Sequence, residues 1–260
     1  MAPRTFETLK DRYQENDGPW LLFHLLDRGA GRASRFFGDR AAQREVSRGL
    51  PGTNTRAANR QIWNDYDWSE AGEEWSPSEE WQHSVVEHLL TPNLPPNAAA
   101  LEIGPGAGRW TSALIPAVSE LTVVDISDQA IELCRQRFGG EENVTFMVND
   151  GANLPEIADA SIDFVWSFDV FVHIAPDDQM HYQAELARIM KPGATGLIHH
   201  GGEGGGKPKA WRSSMTSERF AEGLRDAGLE MVEQLDAWGP DEAFQVPTEG
   251  DVVTRFRRPA

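Results

Sequence analysis

The chain of 260 residues holds one cysteine, no long uninterrupted apolar run and few basic residues. A single thiol makes no internal disulfide, so a crosslinked scaffold is excluded. Cys134 shares a predicted helical face with Ile131 and Phe138 and reads as core. No stretch approaches the roughly 18 apolar residues of a membrane span. Met1-Ala2-Pro3-Arg4-Thr5-Phe6-Glu7 lacks the apolar centre of an export signal, so a cytoplasmic protein is expected. The shortage of positive charge excludes most: 24 Lys and Arg stand against 41 Asp and Glu, a net charge of −17. No basic cluster stands out beyond Arg255-Phe256-Arg257-Arg258, and a phosphate backbone demands one. Nucleic acid is therefore not an expected partner. A small anionic substrate needs only one or two arginines and is not excluded.

What is present begins with Leu101-Glu102-Ile103-Gly104-Pro105-Gly106-Ala107-Gly108. An apolar run that breaks into glycines and resumes as a helical pattern predicts strand, tight turn and helix, with bare backbone where a ligand comes close. Seventeen residues later, Asp125 closes Leu121-Thr122-Val123-Val124-Asp125 and is placed to accept both hydroxyls of a ribose. A dinucleotide fingerprint wants G-x-G-x-x-G, whereas Arg109 stands three places after Gly106 and the third glycine comes early, at Gly108. That departure disfavours NAD. Glu102, an acid inside the motif, suits a cationic ligand.

At this point the chain resembles the class I S-adenosylmethionine (SAM)-dependent methyltransferases, whose first motif is E-x-G-x-G-x-G. Further matches are Val148-Asn149-Asp150-Gly151 after strand three, Ser161 to Asp169 through strand four, and Met190-Lys191-Pro192-Gly193 before strand five. The resemblance spans residues 76–260. It implies SAM as cofactor, with Glu102, Gly104, Pro105, Gly106 and Gly108 against its amino-acid part, Asp125 and Ile126 at the ribose, Asp150 and Gly151 at the adenine, and Ser167 and Phe168 at the methionine end. A turn-favouring Asn-Asp-Gly is an equal reading of Asp150.

The pattern along the chain is unequal. Residues 1–75 form an N-terminal extension: a helical stretch over 6–26, a Gly/Arg/Ser-rich segment over 29–38, a polar loop near 52–55, and an aromatic and acidic block over 62–75 with no clean period. From Ser76 the order is regular. Ser76 is expected to cap a helix with Pro77 at its first position and Glu79 completing a capping box, burying Trp81, Val85 and Leu89 before the prolines over 92–96. Strands are predicted over 99–103, 121–125, 144–148, 162–167, 194–199, 229–235 and 251–257. The first is followed by a helix burying Trp110, Leu114 and Val118. Other helices are expected from Ser127 to Phe138, over 178–190 and over 218–227. Alternating strands and helices predict an α/β Rossmann-like sheet covered on both faces. A final strand with no helix before it must run antiparallel, which matches the seven-stranded methyltransferase sheet.

Residues just past strands four and five face the ligand crevice of such a sheet: Asp169 and His173, then His199 and His200. Methyl transfer from a sulfonium demands alignment, exclusion of water and, for a hydroxyl acceptor, removal of a proton, which a histidine performs near neutrality. One of His199 and His200 is the expected base. Asp169, His199 and His200 are also a workable ligand set for a divalent cation. The glycine-rich run over 201–206 is read as a lid or a plain surface loop.

Trp63, Tyr66, Trp68 and Trp75, interleaved with Asp65, Asp67, Glu70, Glu73 and Glu74, are candidate acceptor contacts, flat faces and hydroxyl acceptors that suit a sugar. Docking of the extension is the equal alternative. That block and the paired histidines are similar to small-molecule O-methyltransferases of sugar-tailoring pathways, which implies a deoxysugar acceptor such as TDP-rhamnose in natural-product biosynthesis. A carboxylate methyltransferase, needing no base, and a non-catalytic SAM-binding protein are the alternatives.

Overall fold

In the computed structural model, which describes residues 12–28, 32–48, 50–202 and 212–260, seven strands form one mixed sheet. The strands are β1 (Ala99–Ile103), β2 (Glu120–Asp125), β3 (Val144–Val148), β4 (Ile162–Ser167), β5 (Met190–Gly201), β6 (Glu230–Leu235) and β9 (Asp251–Arg257). A two-stranded hairpin, β7 (Ala237–Trp238) and β8 (Phe244–Gln245), fills the loop before β9. The order is β3-β2-β1-β4-β5-β9-β6, with β9 antiparallel to both neighbours as its helix-free approach requires. The order reverses between β1 and β4, which opens a crevice at the carboxyl ends of the strands.

Two apolar layers sandwich the sheet. On one face Trp166, Leu197 and Val253 pack with Trp81 and Leu89 from the helical segment before β1, and with Leu114 and Ile131 from the helices after β1 and β2. On the other, Leu101, Val165 and Ile198 meet Tyr182 and Leu186 of one helix and Phe220 and Leu224 of another. The helices in chain order are α1 (Gly18–Asp27), α2 (Arg32–Arg48), α3 (Arg56–Asp65), α4 (Glu79–Ser84), α5 (Thr111–Leu114), α6 (Asp128–Phe138), α7 (Pro176–Ile189) and α8 (Ser217–Asp226). No helix among the described residues is long and apolar enough to cross a membrane.

Local chemistry sets the ends. Ser127 caps α6 by accepting the Ala130 N–H at 3.0 Å, as expected. The helix predicted from Ser76 starts later: Ser78 accepts the Trp81 N–H at 3.1 Å, while Ser76 takes a hydrogen bond from Arg109 at 3.3 Å. Its buried stripe of Trp81, Val85 and Leu89 is present, carried through a wider turn at Val85–Leu90. The helix after β1 is a single turn, because Pro116 lacks the N–H to continue it and Ile115–Ala117 tightens instead. The period-free block is helical as far as Asp65, capped by Thr55. Of the early helix expected over 6–26, the residues before 12 lie outside those described, as do residues 29–31 of the Gly/Arg/Ser-rich segment; Asp17 caps the part seen as α1. The expected lid over 201–206 falls at 203–206 outside them too.

Candidate active site

Three segments meet at the crevice. The turn after β1 enters with Gly104, Gly106 and Gly108 at φ of 73°, 58° and 96°, a left-handed region that side chains resist. A Cβ on Gly104 would collide with Val170, and one on Gly106 would stand 2.6 Å from the Trp68 ring. The loop after β4 brings Phe168, Asp169 and Val170, and Asp169 itself holds φ at 63° without being glycine, a strain that surroundings must enforce. Helix α3 and residues 66–75 close the front. Together they line one cavity.

Among the expected cofactor contacts, Gly104, Pro105, Gly106, Asp125, Ile126, Gly151 and Phe168 line this cavity. Asp125 is buried, which pushes its carboxyl up to about 6, and Oδ1 accepts the Ser127 N–H at 2.8 Å. The other expected cofactor contacts sit behind the wall. Glu102 lies beneath the turn, accepting from the Thr111 hydroxyl at 2.6 Å, with Oε1 unpartnered; burial pushes its pKa up to about 8. Gly108 faces Phe138, and Ser167 donates to the Ile103 carbonyl at 2.9 Å. The Asp150 carboxylate accepts from the Ala152 and Asn153 amides and the Asn153 side chain and sits 3.3 Å from Arg56. It caps its own turn, the reading that Asn-Asp-Gly favours.

The same cavity is lined by Asp169, His173 and an aromatic wall of Trp63, Trp68, Trp75 and Trp110. Tyr66 lies outside the lining, packs on Trp63, Trp68 and Trp75 with ring centroids 4.8–5.7 Å away, and donates to Glu74 at 2.7 Å. The His173 ring meets Trp63 edge-on at 5.1 Å.

The paired histidines separate, since consecutive strand residues face opposite sides. His200 points away from the cavity: it stacks on Phe220 at 3.7 Å, one ring nitrogen is 2.6 Å from the Gly201 carbonyl and the other 2.6 Å from the Thr254 hydroxyl. Burial pushes its pKa down to about 3, so it is neutral and both nitrogens are engaged. It is therefore a core residue, which corrects its expected role as a base. His199 faces the crevice side but is buried behind Asp169, stacked on Phe168 at 4.5 Å. Its Nδ1 is 3.0 Å from Asp169 Oδ1 and its Nε2 3.4 Å from Asp251 Oδ2. Burial alone would lower its pKa; the two carboxylates outweigh burial and raise it. Asp169 is held well below the usual carboxylate range, burial being outweighed by His199 and by Arg109 at 2.5 Å.

Opposed directions also correct the metal set, because Asp169, His199 and His200 do not converge on a point. Among the described residues no group of three His, Cys, Asp or Glu side chains is arranged to hold an ion.

Several lining residues escaped the sequence reading. Arg56 and Asn59 lie on α3 at helical spacing from Trp63, a signal that was present once that stretch is seen as helix. Arg56 pairs with Asp178 at 2.6 Å. Arg109, the residue that breaks the dinucleotide pattern, projects into the wall with its guanidinium 4.7 Å from the Trp110 ring and 5.8 Å from the Trp75 ring.

A family model described as a methyltransferase domain matches residues 100–193, from β1 into β5. Nodulation protein S of Rhizobium tropici is 26% identical over 207 residues, covering 79% of this chain and 81% of that protein. A protein named as a putative O-methyltransferase of Mycobacterium avium is 32% identical over 143 residues, 51% of this chain and 62% of its own length. The crystal structure of a SAM-dependent methyltransferase from Aquifex aeolicus superposes with a TM-score of 0.56 at 17% identity, over 75% of this chain and all of that one.

Proposed function

Because the chain is a SAM-dependent methyltransferase, we propose that it methylates a hydroxyl oxygen of a small, ring-shaped acceptor held between the aromatic wall and the Asp169 loop. When bound, SAM supplies an electrophilic methyl group on a sulfonium. The residues present fit it: Gly104 and Gly106 line the cavity with bare backbone, and Asp125 presents a buried carboxylate to the same cavity.

One observation carries the reading. A single cavity is lined by the glycine turn and Asp125 and also by His173 and the fixed carboxylate of Asp169. Of the three candidate histidines His173 is the one that lines the cavity, so it takes the proton as the carbon–oxygen bond forms. Asp169 accepts a hydrogen bond from the acceptor and fixes its direction. The tryptophans exclude water and give a ring a flat face to stack on. Residues 1–75 act as an acceptor-side cover over a catalytic domain from 76 onward.

A deoxysugar linked to a nucleotide is the acceptor favoured within this class, since Trp63, Trp68 and Trp75 offer stacking faces while Asp178 and Asp169 accept hydroxyls. The O-methyl chemistry draws support from the name of the mycobacterial relative. Incubation with methyl-labelled SAM and a panel of nucleotide sugars, free sugars, phenols and small acids tests the reading. Label in an ether supports it, label in an ester points to a carboxylate acceptor, and SAM binding without transfer to any of them contradicts it.

A further inference from the structure

Five charged groups stand in single file from the cavity wall into the sheet. Arg109 is 2.5 Å from Asp169, Asp169 is 3.0 Å from His199, His199 is 3.4 Å from Asp251, and Asp251 is paired with Arg212. They come from five separate places: the glycine turn, the loop after β4, strand β5, strand β9 and the segment before α8. The inner members are nearly inaccessible, with side chains of His199 and Asp251 exposed by 2% and 5%. With an imidazolium in the middle, the signs alternate from end to end. Burying such a file is costly, and apolar residues would pack the sheet at least as well. Only the Arg109 and Asp169 end reaches the cavity.

We propose that His199, Asp251 and Arg212 are positioning residues for methyl transfer: through the His199 ring they hold Asp169, with its left-handed backbone, in the orientation that meets the acceptor. The inference rests on the reading of Asp169 as an acceptor-facing group. With the ring protonated, the Nδ1 of His199 donates to the Asp169 carboxylate at 3.0 Å, which fixes the side chain of that aspartate. On its far side Nε2 meets Asp251 at an ion-pair distance without an aligned hydrogen bond. Asp251 thus acts on His199 mainly by charge, and Arg212 fixes Asp251. The charged and titratable groups around the ring are Asp169 and Arg109 in front, Asp251 and Arg212 behind, and His200 next along β5, directed to the opposite face.

The test is a pH titration of His199 by carbon-13 NMR of histidine-labelled full-length protein saturated with S-adenosylhomocysteine, the resonance assigned by its loss in His199→Gln. In Asp251→Asn the midpoint moves to lower pH, because a carboxylate that favours the imidazolium is gone. In Arg212→Gln it moves to higher pH, because a competing cation is gone. Opposite signs from two neighbours are not produced by simple loosening, and Arg212→Gln keeps the test available if Asp251→Asn does not fold. A midpoint unmoved in both folded variants, or moved against these signs, overturns the file. The titration needs no acceptor, so it is read independently of the acceptor screen. On an acceptor found there, kcat of Asp251→Asn falls by roughly 10- to 100-fold, its alkaline limb moves to lower pH, and S-adenosylhomocysteine affinity is unchanged. Coupling in the titration with unchanged kcat would reduce the file to a structural tie and overturn the positioning role.

Discussion

The Trp68 indole lies against Gly106, so close that a Cβ on that glycine would stand 2.6 Å from the ring. The extension and the glycine turn are therefore fitted to each other as well as to a ligand. Gly106→Val adds bulk at a backbone φ of 58°, where a branched side chain is strained. Its affinity for S-adenosylhomocysteine is expected to fall at least about tenfold, near 1.4 kcal/mol, with the far-ultraviolet circular dichroism of the folded chain retained. Unchanged affinity in calorimetry would show that the turn does not cradle the cofactor.

His173→Ala is expected to lower kcat by roughly 10²- to 10⁴-fold on a hydroxyl acceptor while SAM affinity stays nearly the same. The wild-type rate rises through one ionisation as the imidazole loses its proton. Full activity in the variant together with a flat rate between about pH 6 and 8 would remove His173 as the base and favour a carboxylate acceptor, which arrives ionised.

Glu102 links the site to stability. Burial raises its pKa to about 8 from the 4.5 of an unfolded glutamate, so the folded chain holds a proton that the unfolded chain releases. Stability is lost as pH rises above 4.5, and the loss is complete once the folded pKa of about 8 is passed. Glu102→Gln removes that dependence and still accepts from Thr111. In ligand-free protein its Tm should exceed that of wild type by a margin that grows between pH 5 and 8. A margin independent of pH would mean that Glu102 is ionised in the folded chain.

Much of this was legible in local pattern. The glycine turn, Asp125 and the Ser127 cap depend on neighbours a few residues away, and the layered sheet with its antiparallel last strand followed from strand and helix alternation with one helix-free return. The displaced start of α4 shows the limit of such rules: Ser76 and Ser78 are both good caps, and Ser76 is drawn off by Arg109 from another segment. Residues 62–65 escaped as helix because only Trp63 among them lines the crevice, while Ile62 is exposed and Asn64 accepts from Ser127, so no apolar stripe marks the turn. The hairpin of β7 and β8 was hidden because two-residue strands carry no period. Asp251 and Arg212 gave no signal at all, since Asp251 reaches His199 only through the register of β5 and β9, and Arg212 joins Asp251 from a separate segment before α8. For His199 and His200 the sequence supplied the pair, and which of them faces the crevice depends on strand register.

Calorimetric titration of the full-length chain with SAM, and separately with NAD, tests the cofactor cradle most directly. The glycine turn without a third glycine at the dinucleotide position, and Asp125 open to the cavity, predict one-to-one binding of SAM and no heat from NAD at the same concentrations. Saturable binding of NAD with none of SAM would contradict the account from the cavity outward.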